Sequence, residues 1–204
     1  MGLFVSLSRM DKRVLLGIPH RGDEKEFTTV TNRVGLYLPK SVGLELPEDY
    51  LESEKHGFGS YFFGRIATYL RNSGVDVVPL EDPGLLHYHW AIQLAGDVTS
   101  RRLTKIDLES QLRAFEKRSD DKLTQDEAYN LRLYTQRYRT ALQILEHAQT
   151  SEQIAQERQA AIDRRENHVL GRIRVTSPDM VIIGNAHAKN LKPSLPEYEY
   201  VSIS

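Results

Sequence analysis

The chain has 204 residues, 40% of them hydrophobic and 27% charged, with 13 glycines and 8 prolines; this excludes collagen-like and low-complexity classes and sets one core-forming domain as the expectation. It has no cysteine, so disulfide frameworks, zinc fingers, iron–sulfur clusters and thiol catalysis are excluded, and any metal has only nitrogen and oxygen ligands available. With 27 Lys and Arg against 28 Asp and Glu the net charge is −1, which leaves no field to hold a polyanion and makes nucleic acid a poor first partner.

The opening Met1-Gly2-Leu3-Phe4-Val5-Ser6 loosely fits an N-myristoylation pattern, and Leu3 and Phe4 read equally as the start of a strand. Arg13 to Ile18 (RVLLGI) is a short apolar run closed by Pro19 and the polar stretch from His20, the pattern of a buried strand ending in a loop. A segment from about Glu24 to Tyr37 is long enough for a crossover helix and is followed by the breaker Pro39. Ser41 to Leu46 (SVGLEL), ending at Pro47, repeats the strand pattern and completes a βαβ unit. Phe58 to Arg71 has helical spacing at Tyr61, Phe62, Ile66, Tyr69 and Leu70, then stops at Asn72-Ser73-Gly74 before a third strand, Val75 to Leu80.

From Leu85 to about Arg174 the pattern changes to long polar helices. One face of Thr124 to Ala148 carries Leu131, Tyr134, Tyr138, Ala141 or Leu142, and Leu145, a stripe that reads as helix-packing surface. Thr124 with Glu127 and Thr150 with Gln153 have the spacing of capping boxes. Asp179 to Gly184 (DMVIIG) returns to the buried-strand pattern, and a last strand runs over Tyr198 to Ile203. The predicted architecture is a single α/β domain over 1–204. Its mostly parallel sheet is flanked by helices, and 85–174 forms a helical insertion or subdomain between the third strand and the next. No stretch approaches the roughly 18 apolar residues of a membrane span, so the expectation is a cytoplasmic chain with no transmembrane span.

Two segments share one design, an apolar strand ending in Gly, two residues, then His: Gly17-Ile18-Pro19-His20 and Gly184-Asn185-Ala186-His187. In an open parallel sheet, ligands bind beyond the carboxyl ends of the strands, and both histidines fall there. Glu45, near the end of the second strand, is a carboxylate in an apolar run; it is costly there unless it meets a cation, a metal or a donor. Two imidazoles and one carboxylate at one sheet edge suit a borderline divalent metal. The competing readings are turn chemistry for each Gly-x-x-His, and a helix cap or an arginine partner for Glu45.

These two motifs, with the glutamate in VGLEL, resemble the Tiki/TraB family, which is distantly similar to erythromycin esterase and to haem-binding ChaN-like proteins. The resemblance covers about Arg13 to Asp82 and Arg164 to Ala188 and leaves out the helical middle. It implies a metal-dependent hydrolase in which His20, Glu45 and His187 hold the ion, with manganese or cobalt the usual metals of Tiki-type proteases. The family also carries a helical Arg followed by Asn or Asp, with a Met four positions after the Arg. Here Arg165-Glu166-Asn167-His168-Val169 occupies the matching place, but Glu166 and Val169 depart from the pattern, so Arg165 alone carries over.

Arg165 suits such a site because guanidinium binds carboxylate or phosphate through two parallel hydrogen bonds or stabilises an oxyanion; a surface ion pair is the other reading. Glu81 is a second acidic candidate, and the sequence does not decide whether it or Glu45 serves as general base. Asp82 ahead of Pro83 reads better as a helix cap. Asn185 either donates to substrate or holds the turn. His87 and His89 could share one side of an extended segment and bind metal, or be loop surface. With no thiol and no Gly-x-Ser-x-Gly elbow, attack by activated water is expected in place of an acyl-enzyme. The leading expectation is therefore a hydrolase using manganese, cobalt or zinc on a peptide or small-molecule ester-like bond, with a homodimer through the helical section. The rival is a regulatory or ligand-binding module that keeps the site without turnover. Haem or iron handling is suggested only by the ChaN-like relationship.

Overall fold

The fold is described from a computed structural model, which describes residues 13–19, 21–47, 62–118, 123, 125–147 and 150–203. The N-terminal pattern at Gly2, the Thr124 cap and His20 lie outside the described residues.

Five strands form one sheet: β1 (Arg13–Ile18), β2 (Ser41–Pro47), β3 (Asp76–Glu81), β4 (Met180–Gly184) and β5 (Tyr198–Ser202), in the order β3-β2-β4-β1-β5. All five run parallel. The register sets Val14 beside Met180 and Ile18 beside Gly184, with Val42 on the other side of Met180. The first βαβ unit is therefore split: β1 and β2 share the sheet, but β4 lies between them. Local pattern finds a crossover, and only the packing of the whole sheet chooses the neighbours.

The helices are α1 (Glu24–Tyr37), α2 (Phe62–Asn72), α3 (Pro83–Thr99), α4 (Lys105–Glu116), α5 (Gln125–His147), α6 (Ser151–Thr176) and α7 (Asn185–Leu191). Among its described residues the region between β3 and β4 is mainly helical, as its polar periodic sequence predicts. Thr150 and Gln153 form the expected capping box, each side chain accepting from the other residue's backbone N–H, at 3.2 and 3.1 Å. A second box, Thr104 with Asp107 at the start of α4, escaped the sequence reading because Asp stands where Glu or Gln is usual.

Two compact units result. The described residues among 1–51, 59–80 and 169–204 form a sheet unit, and those among 81–168 a helical unit. In the sheet unit the inner strands β1, β2 and β4 are buried on both faces, which explains their unbroken apolar runs, while the edge strands β3 and β5 are partly exposed. The strand period of two sends Val14, Leu16, Ile18, Leu44, Leu46 and Ile182 to the face covered by α1 and α2, where Val30, Val34, Phe63, Ile66 and Leu70 meet them. Leu15, Val181 and Ile183 point the other way, against Val169 and Ile173 of α6 and Ala188 and Leu191 of α7.

The helical unit has two smaller cores. Ile92 and Ala95 of α3 pack with Ile154 and Ala161 of α6, and Ala91 with Leu108 of α4 and Ala141 of α5. The predicted stripe on α5 holds at Leu131 and Ala141, which are buried. Tyr134 departs from it and is 44% exposed. Among the described residues no helix is long and apolar enough to cross a membrane.

Candidate functional site

Two groups of candidate residues are separated by the division into units, and each is described within its own unit. In the sheet unit, alternation along β2 turns Leu44 and Leu46 into the core and sends Gly43 and Glu45 to the opposite face. Glu45 is 8% exposed. Its Oε2 accepts from the backbone N–H of Gly184 at 2.6 Å, so the carboxylate satisfies the N-cap residue of α7, which has no side-chain cap. Its Oε1 lies 3.8 Å from Nε2 of His187, the third residue of that helix. Glu45 thus meets a backbone donor, one of the partners expected of a buried carboxylate, at the start of α7 and not at the next helix in the chain.

A separation of 3.8 Å is too long for a hydrogen bond. It lies within the span of two donors each about 2.1 Å from one ion. The His187 side chain is 24% exposed, so the imidazole can be reached from solvent while the carboxylate is held. This pair fits two ligands of one divalent ion. Among the described residues there is no group of three His, Asp or Glu side chains that could hold a metal. A third ligand at His20 falls outside the described residues.

Asn185 is engaged with β5. Its amide donates to the Ile203 carbonyl at 3.2 Å, and its Oδ1 accepts from Ser202 Oγ at 2.9 Å and from the Tyr200 hydroxyl at 3.3 Å. This is the turn-holding reading. It also accounts for Gly17, where a Cβ would collide with Asn185 Oδ1. One residue missed from the sequence organises the loop after β1. Asp23 caps α1 by accepting from Glu26 N–H at 2.7 Å, and the buried Glu26 carboxylate reaches back to accept from Gly22 N–H at 2.6 Å. Gly22 has φ +70°, a conformation that favours glycine. The Asp-x-x-Glu spacing ahead of the predicted crossover helix was the available signal.

In the helical unit, Glu81 and Arg165 form a buried bidentate pair. Arg165 Nε donates to both carboxylate oxygens at 2.9 Å, and Nη2 to Oε1 at 2.6 Å. The side chains are 2% and 8% exposed, so the surface-pair reading of Arg165 does not describe it. Asp82 caps α3, its Oδ1 accepting from Leu85 N–H at 2.8 Å with Pro83 opening the helix, as the sequence favours. His87 and His89 lie in α3 and not on an extended segment. Helical spacing turns them about 200° apart, so they cannot share one side.

No family model, curated protein or solved structure matches the chain, so the assignment of function rests on the residues themselves.

Proposed function

We propose that the chain is a metal-dependent hydrolase acting on a peptide or small-molecule ester-like bond, as the resemblance to the Tiki/TraB family implies. The observation that carries this reading is the approach of Glu45 Oε1 to His187 Nε2, 3.8 Å, beyond the carboxyl ends of parallel strands. His187 and Glu45 are two ligands in this reading and His20 the third. The ion, manganese, cobalt or zinc, supplies Lewis acidity and a water whose pKa is brought toward neutrality.

The chain's own residues do the positioning. The Gly184 N–H holds Glu45 Oε2, which helps to aim Oε1 at the imidazole. Glu81 has both oxygens engaged by Arg165, which takes it out of the base role. Asn185, tied to β5, supports the turn that presents His187 in place of a direct substrate contact. The same reading places the chain in the cytoplasm and pairs two copies through the helical section.

The second reading, a ligand-binding module without turnover, is favoured by the internal engagement of Arg165 and Asn185, the two residues expected to bind substrate. Metal analysis of protein purified without chelator, beside His187→Ala and Glu45→Gln, tests both. The hydrolase reading expects bound metal in the parent chain only, and peptide or ester hydrolysis that a chelator abolishes and manganese, cobalt or zinc restores. Full hydrolysis in chelated protein overturns it. Metal uptake with no hydrolysis across the panel selects the binding module.

A further inference from the structure

In the helical unit α5 carries an arginine that has no acceptor among the described residues. The guanidinium carbon of Arg137 lies 3.9 Å from the centroid of the Trp90 indole on α3 and 5.0 Å from that of the Tyr134 ring. His87, one turn before Trp90, meets the same indole edge-on at 5.9 Å. Among the described residues Arg137 Nε is buried and donates to nothing, and no carboxylate pairs with this side chain. Three other arginines of the unit differ: Arg139 donates to Glu116, Arg164 to Glu157 and Arg165 to Glu81.

The rings attract the cation through their faces but offer no lone pair to its five N–H donors. Burial pushes the Arg137 pKa down, although an arginine still holds its charge at neutral pH. A partly desolvated cation with unmet donors is costly unless an anion meets it. Two aromatic rings lie against the guanidinium and the side chain is only partly buried, so the plane of its terminal nitrogens is where an acceptor would meet it. A flat carboxylate matches that fork with two parallel N–H···O bonds, and the rings accept the apolar part of the same molecule. A phosphate dianion calls for more than one cation, and among the described residues Arg137 alone approaches these two rings.

We infer that Arg137, walled by Trp90 and Tyr134, is a binding site for the carboxylate of a small organic acid with an apolar or aromatic body. The site stands independently of Glu45 and His187.

Trp90 is the one tryptophan of the chain, so its fluorescence reports this site directly. The full chain is titrated in a carboxylate-free buffer of constant ionic strength with 3-phenylpropionate, with its neutral isostere 3-phenylpropanamide, and with inorganic phosphate. The site predicts a saturable change with the acid, binding at least about tenfold tighter than the amide, and phosphate weaker than the acid. Arg137→Met abolishes the difference between acid and amide, and Arg137→Lys, which keeps the charge but not the fork, weakens acid binding severalfold. Equal responses to acid and amide, an acid response unchanged in Arg137→Met, phosphate binding tighter than the acid, or no saturation up to the solubility of the acid each overturns the inference. Melting temperatures establish that the variants fold, and if the methionine variant does not, the lysine variant and the acid–amide pair decide.

Discussion

In the sheet unit the runs RVLLGI and MVIIG bury nearly every side chain, so its cohesion is apolar area removed from water on both faces of the inner strands. The helical unit, from the same chain, has small cores built largely of alanines at Ala91, Ala95, Ala141 and Ala161, and around them its charged side chains meet acids and rings. Arg165 is buried on Glu81, Arg164 donates to Glu157 and lies over Tyr88, and Arg137 lies over Trp90. The Tyr88 hydroxyl also donates to Glu157, at 2.9 Å. The hydrogen bonds from Arg164 and Tyr88 hold the Glu157 carboxyl below its usual range. A sheet buried on both faces closes on dispersion and hydrophobic burial alone, whereas long polar helices leave cations half inside and must satisfy each one specifically. The lesson is that single charge changes act on the helical unit and single methylene changes on the sheet.

That contrast is sharpest at Arg165. Arg165→Ala leaves the Glu81 carboxylate buried without its partner and is expected to destabilise the protein by about 3–5 kcal/mol in urea unfolding. Combining Glu81→Leu with Arg165→Met is expected to recover most of this, because two apolar groups of similar size leave no orphaned charge. A loss below about 1 kcal/mol for the single variant would mean that the pair behaves as an exposed one and would erase the distinction between the units.

In the sheet unit the corresponding polar contact is weaker and is read by pH. Burial raises the Tyr198 pKa from 10.0 to about 12, with the Arg13 cation opposing, and the hydroxyl donates to the Pro178 carbonyl at 2.8 Å. The folded state therefore keeps a proton that the unfolded chain releases first. This contribution is complete below pH 10, and stability falls as the pH rises from 10 toward 12. Tyr198→Phe is expected to cost about 1 kcal/mol at neutral pH through the lost hydrogen bond. It should also flatten the alkaline fall in the urea midpoint, and an equally steep fall in the variant would assign that fall to other groups.

The smallest effect is expected at a helix end. Thr150→Ala removes one half of the box that opens α6 and should cost about 1 kcal/mol or less. Hydrogen exchange should quicken in the first turn of α6 while the strands stay protected; quickening throughout the helical unit would show that its helices open together.

Much of this was legible from spacing. The crossover helix from Glu24 to Tyr37, the strand ends at Ile18 and Gly184 and the cap at Asp82 follow from apolar period, breakers and cap chemistry, which act within one or two turns of chain. The positions of Glu45 and His187 at strand ends were legible too, as was the tension of a carboxylate inside SVGLEL. His87 and His89 were misjudged because the start of α3 at Pro83 decides whether a spacing of two means one side or opposite sides. Tyr134 was placed in a packing stripe by period alone, although α5 turns it toward Phe115 and Arg137 at an exposed position.

The sequence by itself determined the five strands, the crossover helix and the helical character of the middle, that the sheet is of the α/β, mostly parallel kind, and that a glutamate and a histidine stand at strand ends. Tertiary structure alone decided that β4 inserts between β1 and β2, which brings the Gly184 N–H and His187 to Glu45. It alone decided that Arg165 meets Glu81, that Asn185 is taken by β5, and that Arg137 lies against two rings. The physical reason is range. Hydrophobic period and capping are settled by neighbours a few bonds away, whereas the partner of a buried charge is chosen by the packing of segments far apart in the chain, where desolvation makes one acceptor decisive and its absence costly.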